Sequence, residues 1–182
     1  YNENIVYDME TGSPGQKIPV TVARNENGER IEITDTLTII PYISPTVTYK
    51  VIDSIAVISI SEFASENTPN KDGTHGEFVE ALLATQGTKA TIIDLHHNPG
   101  GDQDQCIGVS EEMLSKDDIL MIQYKVNEEN TEEQEIRDSV VRSSKTGLAS
   151  NRYLVFIADS NSASCSEVTL AAVLPNRHSP LV

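Results

Sequence analysis

Apolar positions follow two different periods along this chain. Between Gly12 and Thr36 they alternate with polar ones, Ile18, Val20 and Val22 in one run and Ile31 and Ile33 in the next. The intervening "NENGE" puts Asn27-Gly28 where a two-residue turn needs positive φ at both positions, so the stretch predicts a β-hairpin. A threonine-rich passage follows, "TDTLTIIPYISPTVTYK". Its Pro41 and Pro45 cannot donate to a central ladder, which predicts a linker or an edge strand and a boundary near residues 35–48.

Beyond that boundary the apolar runs become nearly continuous. "IAVISI" (55–60), "ATIIDL" (90–95) and "YLVFIA" (153–158) predict strands covered on both faces. Between the first two, Thr74 to Ala84 predicts a helix, with Thr74 and Glu77 as a capping box and Phe78, Val79, Leu82 and Leu83 as its apolar face. Cys106, Val109, Met113 and Leu114 have helical spacing after "GGDQDQ", and Ile119 to Val126 returns to strand. Val168, Ala171, Ala172 and Leu174 line a last helix that Pro175 is expected to stop. This succession implies right-handed βαβ units, a mainly parallel sheet and an α/β fold.

Composition narrows the function classes. At 182 residues the chain suits one buried core, or one domain with part of another. A formal net charge of −15 repels phosphate backbones and anionic membrane surfaces, so nucleic acid is not an expected partner. The sequence holds no 18-residue apolar run and no charged-then-apolar leader, so neither a transmembrane segment nor a signal peptide is expected within it. Its abrupt ends, "YNENIV" and "HSPLV", read as those of an excised piece. The glutamate-rich "NEENTEEQE" (127–135) reads as a solvated loop. Cys106 and Cys165 are too few for a disulfide scaffold and match no zinc spacing, so both are expected as small buried thiols. No cofactor or metal is expected.

In an α/β sheet, sites gather beyond the carboxyl ends of the strands. Two stretches lie there, "DLHHNPGG" (94–101) and "DSNSASCSE" (159–167). Ser164 and Glu167 satisfy a capping box, so Ser164 reads as a helix N-cap. A serine at a strand-to-helix turn is also held out of the sheet among free backbone N–H groups that can stabilise an oxyanion. Gly100-Gly101 marks either a tight turn or a backbone that something approaches closely.

Together, "IIDLHHNPGG" and "YLVFIADSNSASCSEVTLAAVL" resemble the S41 peptidases, the C-terminal processing or tail-specific proteases. Their pattern is a D-L-R-x-N-x-G-G strand end and an S-A-S-A-S-E nucleophile turn. The resemblance runs from about Val51 to Val182. It implies a crotonase/ClpP-like core with Ser164 as nucleophile, and Cys165 with Gly100 or Gly101 as the oxyanion-hole donors. "GSPGQKIPVTVARNENGERIEIT" looks like the last two strands of the PDZ domain that precedes the core in that family. The domain expectation is therefore a PDZ-like remnant over 1–36, a linker over 37–50 and a protease core over 51–182. In bacterial members the general base is a lysine in a G-K-G motif about 25 residues after the serine. Val182 lies 18 residues after Ser164 (182 − 164), so that lysine is expected beyond the chain, and the segment alone is expected to be inactive. What is implied is hydrolysis of extended or unfolded proteins near their C-termini, outside the cytoplasm, with protein or peptide substrates as partners.

Two departures stand out: His96 replaces the family's arginine, and Cys165 replaces a usual alanine. The rivals are a catalytically silent binding module, a hydratase or isomerase on the crotonase-like core, and a metal hydrolase built on His96, His97, Asp102 and Asp104. Against the last, successive residues of an extended strand point to opposite faces, so one ion is not expected to collect both histidines. A Cys106–Cys165 pairing that gates the site is a further option, set below two core thiols.

Overall fold

The computed structural model of the chain describes residues 12–40, 42–126 and 136–177; the stretch 127–135 and the terminal "SPLV" fall outside them. Two compact units are present, divided after Tyr42.

The first unit is the hairpin. Strands β1 (Lys17–Glu26) and β2 (Glu29–Thr38) pair antiparallel, from Glu26 opposite Glu29 to Lys17 opposite Thr38. Asn27 and Gly28 both adopt positive φ, 53° and 88°, as the turn chemistry predicts. Val22 faces Ile33 across the ladder, and the Thr21 and Thr34 hydroxyls bond at 2.8 Å. Both strands extend well past the apolar alternation.

The second unit is built on a four-stranded sheet in the order β3-β4-β5-β8. Strand β3 (Val47–Ile52) is an antiparallel edge, so residues 47–50 are strand and not linker. Strand β4 (Ile55–Ile60) runs through helix α1 (Gly73–Ala84) into the parallel β5 (Ala90–Asp94). From β5 the chain passes through helix α2 (Gln103–Glu111) and an antiparallel pair, β6 (Ile119–Val126) and β7 (Ile136–Arg142). It returns as β8 (Leu154–Ile157), parallel to β5, and the described residues end with helix α3 (Cys165–Arg177). The α/β expectation, with two crossovers joining parallel neighbours, is met.

One face of the sheet carries the core. Ile58, Ile60, Ile93, Leu154 and Phe156 join Phe78, Leu82, Val109, Met113 and Val173 of the helical layer in a single cluster. The alternate positions Val57, Ile92 and Val155 are half-buried. Coverage of both faces, expected from the continuous apolar runs, is therefore not what these residues provide: the core joins all three helices to one face.

Two helix ends depart from local motif logic. Thr74 and Glu77 do not form a capping box, because the N-cap of α1 is Asp72. Glu77 Oε2 instead accepts the backbone N–H groups of Thr46 (2.7 Å) and Val47 (2.9 Å), and the Thr74 and Thr46 hydroxyls bond at 2.7 Å. Satisfying the buried start of β3 outranks capping a helix. Nor does Pro175 stop α3, which continues to Arg177. Asn176 Nδ2 donates to the carbonyls of Ala172 (2.7 Å) and Ile119 (2.8 Å), and Arg177 donates to the Arg152 carbonyl (2.7 Å). These side-chain bonds hold the turn whose ladder bond proline removes.

Candidate active site

Strands β4, β5 and β8 end in register: Ser59 is opposite Asp94, and Asp94 is opposite Ile157. The two chemistry-bearing stretches thus leave neighbouring strands side by side. Leu95 N–H donates to the Ile157 carbonyl (2.9 Å), Ser162 Oγ to the Leu95 carbonyl (2.8 Å) and Ala163 N–H to the Asn98 carbonyl (3.0 Å). Asn98 is the hub. It is fully buried, donates Nδ2 to the Ile60 carbonyl (2.9 Å) and accepts Gly100 N–H on Oδ1 (2.8 Å). Its carbonyl also accepts Ser166 Oγ at 3.0 Å. Sequence reasoning gave Asn98 no role, although its place before the glycine pair was the available signal.

Ser164 stands at the start of α3 with φ of 53°, a left-handed conformation costly for a residue with a Cβ. The expected capping box is half made. Ser164 N–H donates to Glu167 Oε2 at 2.8 Å, but the serine hydroxyl does not return a bond to the helix. Among the described residues Oγ has no hydrogen-bond partner, and Ser164 is exposed. A positive φ turns the side chain off the helix and toward solvent.

The glycine pair packs against this turn. A Cβ placed on Gly100 would lie 2.7 Å from Ser164 Cβ and 2.9 Å from the Cys165 nitrogen, so only glycine lets the two loops meet. Gly100, Ser164 and Cys165 are thereby brought together as the sequence predicts. Gly100 is corrected in one respect: its N–H is taken by Asn98 Oδ1 and is not available to a substrate. The next donor is Gly101, whose neighbours Gly100 and Asp102 bridge to Phe63 through Phe63 N–H to Gly100 O (2.9 Å) and Asp102 N–H to Phe63 O (2.7 Å). Gly101 N–H itself is unpaired among the described residues, as is that of Cys165 in the first turn of α3.

Cys106 and Cys165 are disulfide-bonded, with Cα atoms 5.7 Å apart, and are not the free thiols expected. The bridge ties α2 to the N-terminus of α3 directly beside Ser164. The proposed metal set of His96, His97, Asp102 and Asp104 does not assemble. Asp102 caps α2 by accepting Asp104 N–H (2.9 Å), while the histidines turn to Asp159 on the other loop. The expected divergence of His96 and His97 is also corrected: their rings stack at 3.7 Å. His97 has φ of 61°, which abolishes strand alternation at that point. Asp159 is held well below the usual carboxylate range, first by His97 N–H and then by Ser162, the His97 ring and Asn161, against partial burial.

Comparisons with known proteins bear on the family and the fold. The sequence profile of Peptidase family S41 matches residues 54–182. The carboxy-terminal-processing protease of Bartonella bacilliformis is 23% identical over 98% of this chain and 39% of its own length. The carboxyl-terminal-processing protease of Synechocystis is 28% identical over 71% of this chain and 27% of its own length. Among solved structures, a photosystem II D1 C-terminal processing protease superimposes with a TM-score of 0.61 at 18% identity, covering 97% of this chain and 46% of that one. An S41 protease of Bacteroides fragilis gives 0.56 at 12% identity over 91% of this chain and 46% of its own. The chain therefore spans less than half the length of these relatives, and it belongs to peptidase family S41.

Proposed function

We propose that the protein containing this chain is a serine peptidase, with Ser164 as nucleophile, acting on extended or unfolded protein chains near their C-termini. The observation that carries the reading is the presentation of Ser164: exposed, left-handed, with Oγ and two neighbouring backbone N–H groups unpaired among the described residues. Attack by Oγ on a peptide carbonyl generates an oxyanion, which Gly101 and Cys165 N–H receive, and collapse releases the C-terminal product and leaves an acyl-enzyme for water to hydrolyse.

The proton of Ser164 needs an acceptor, and none stands within hydrogen-bond distance among the described residues. We assign that role to a lysine outside this chain, in the G-K-G setting of the family. Burial lowers such a lysine to a pKa of about 7–8, where it accepts a proton at neutral pH. Residues 1–36 are read as the end of a PDZ-like domain that captures chain termini by strand addition. An extracytoplasmic location accords with the disulfide. No described helix is long and apolar enough to cross a membrane.

The test is turnover of an unfolded protein by the full-length chain, with and without Ser164→Ala. Loss of turnover with retained substrate binding supports the reading. Binding without any turnover by the unsubstituted protein sinks it in favour of the binding module, which the replacement of the family's arginine by His96 would then explain.

A further inference from the structure

We propose that His96, His97 and Asp159 form a binding site for a divalent transition-metal ion of the zinc, copper or nickel class, bridging the two loops that frame Ser164. The site is built from two neighbouring parallel strands. Asp94 and Ile157 are in register at the ends of β5 and β8, so residues 96–97 and 159 emerge next to each other. His96 N–H donates to Asp94 Oδ1 at 3.0 Å, which turns the chain at the strand end. The left-handed φ of His97 then brings the second imidazole alongside the first, the two rings 24° from parallel.

The carboxylate is fixed before any ion arrives. Asp159 Oδ1 is consumed by His97 N–H (3.0 Å) and Asn161 N–H (3.2 Å). Oδ2 is left facing His97 Nδ1 (2.5 Å), His96 Nε2 (3.7 Å) and the Asn161 amide (3.1 Å). One ligand atom from each of the three residues lies within 4.8 Å of the other two. Cis ligands around a zinc-sized ion sit about 3 Å apart, given metal–ligand bonds near 2.0–2.2 Å. Small rotations of two exposed rings therefore suffice to close the set, since the histidine side chains are 52% and 62% exposed.

The donor chemistry selects the ion. Two imidazole nitrogens and one carboxylate oxygen suit zinc, copper or nickel, whereas calcium and magnesium prefer all-oxygen shells. Three protein ligands leave coordination positions to water. Binding would pin Asp159 to His97, the neighbour of the Asn98 hub. The ion would clamp the loop carrying Gly100-Gly101 to the loop carrying Ser164. The proposal stands on these three residues and is independent of the peptidase reading.

The test uses tag-free full-length protein titrated with ZnCl2 against a chromophoric chelator, read alongside thermal melting. The expected result is one equivalent of zinc withdrawn from the chelator, with a raised melting temperature. His96→Ala and His97→Asn should each weaken binding at least tenfold, while excess calcium or magnesium does not compete. Both variants keep the fold, because the side chains are exposed and asparagine tolerates the left-handed φ of His97. Melting without metal checks this. Absence of zinc binding overturns the proposal, and so does binding that neither folded variant weakens.

Discussion

Reducing the Cys106–Cys165 disulfide is expected to remove about 4 kcal/mol of stability. The cysteines lie 59 residues apart in sequence, and the loop they close holds the rest of α2 from Cys106 on, together with β6, β7 and β8. Cross-linking a loop of that length lowers the entropy of the unfolded chain by roughly 14 cal/mol/K, which is about 4 kcal/mol at 25 °C. Both residues are almost fully buried, so reduction must be carried out in mild denaturant before refolding. The assay compares urea unfolding of oxidised and reduced protein. With a slope of about 2 kcal/mol/M, the midpoint should fall by about 2 M. Chemical reduction leaves every core side chain in place, so the shift reports the cross-link and not a cavity. Coincident unfolding curves, or two free thiols titrated in urea without reductant, would refute the reasoning.

Three further outcomes follow from the geometry. Burial would raise Glu112, but bonds from His75, Lys145 and Leu148 N–H outweigh it and bring its pKa down to about 2. The folded value lies below the unfolded one, so this carboxylate contributes stability above pH of about 4.3, lost as pH falls toward 2. Glu112→Ala should cost about 3 kcal/mol at pH 7, with the gap to the unsubstituted protein closing on acidification, as measured by urea melts across pH. Gly101→Ala places a Cβ against the Phe63 carbonyl at a φ of 137°, and should lower stability by at least about 2 kcal/mol in the same assay. Asn98→Ala leaves the Gly100 N–H and Ile60 carbonyl without their partner in the interior, a loss of about 2–4 kcal/mol.

Where physics is local, the sequence was a good guide. Asn27-Gly28 dictates its own turn, and the β-branched runs at 55–60 and 90–95 have one satisfactory outcome in a chain that also supplies amphipathic helices. The turn at Ser164 was legible as a helix start from its capping-box spacing, the glycine pair as a tight turn or close approach, and their joint meaning only through the resemblance to the S41 pattern. What escaped depends on partners distant in sequence. Thr74 and Glu77 carry a helix-cap signature, yet Thr46 and Val47, about 30 residues away, claim them. A spacing of 59 residues says nothing about whether two cysteines meet. The stacking of His96 on His97 was hidden because strand alternation presumes an extended backbone, and one left-handed residue cancels it. Asp159 could have been suspected, since it follows β8 as the histidines follow β5.

The most direct test of Ser164 as the nucleophile is the rate at which full-length protein degrades an unfolded substrate, compared between the unsubstituted chain and Ser164→Ala at equal folded concentration. The account predicts measurable turnover by the former and a fall of at least about 1,000-fold in the variant, as expected when a nucleophile is removed from a site that keeps its oxyanion donors. Turnover by Ser164→Ala within a few-fold of the unsubstituted rate would contradict it.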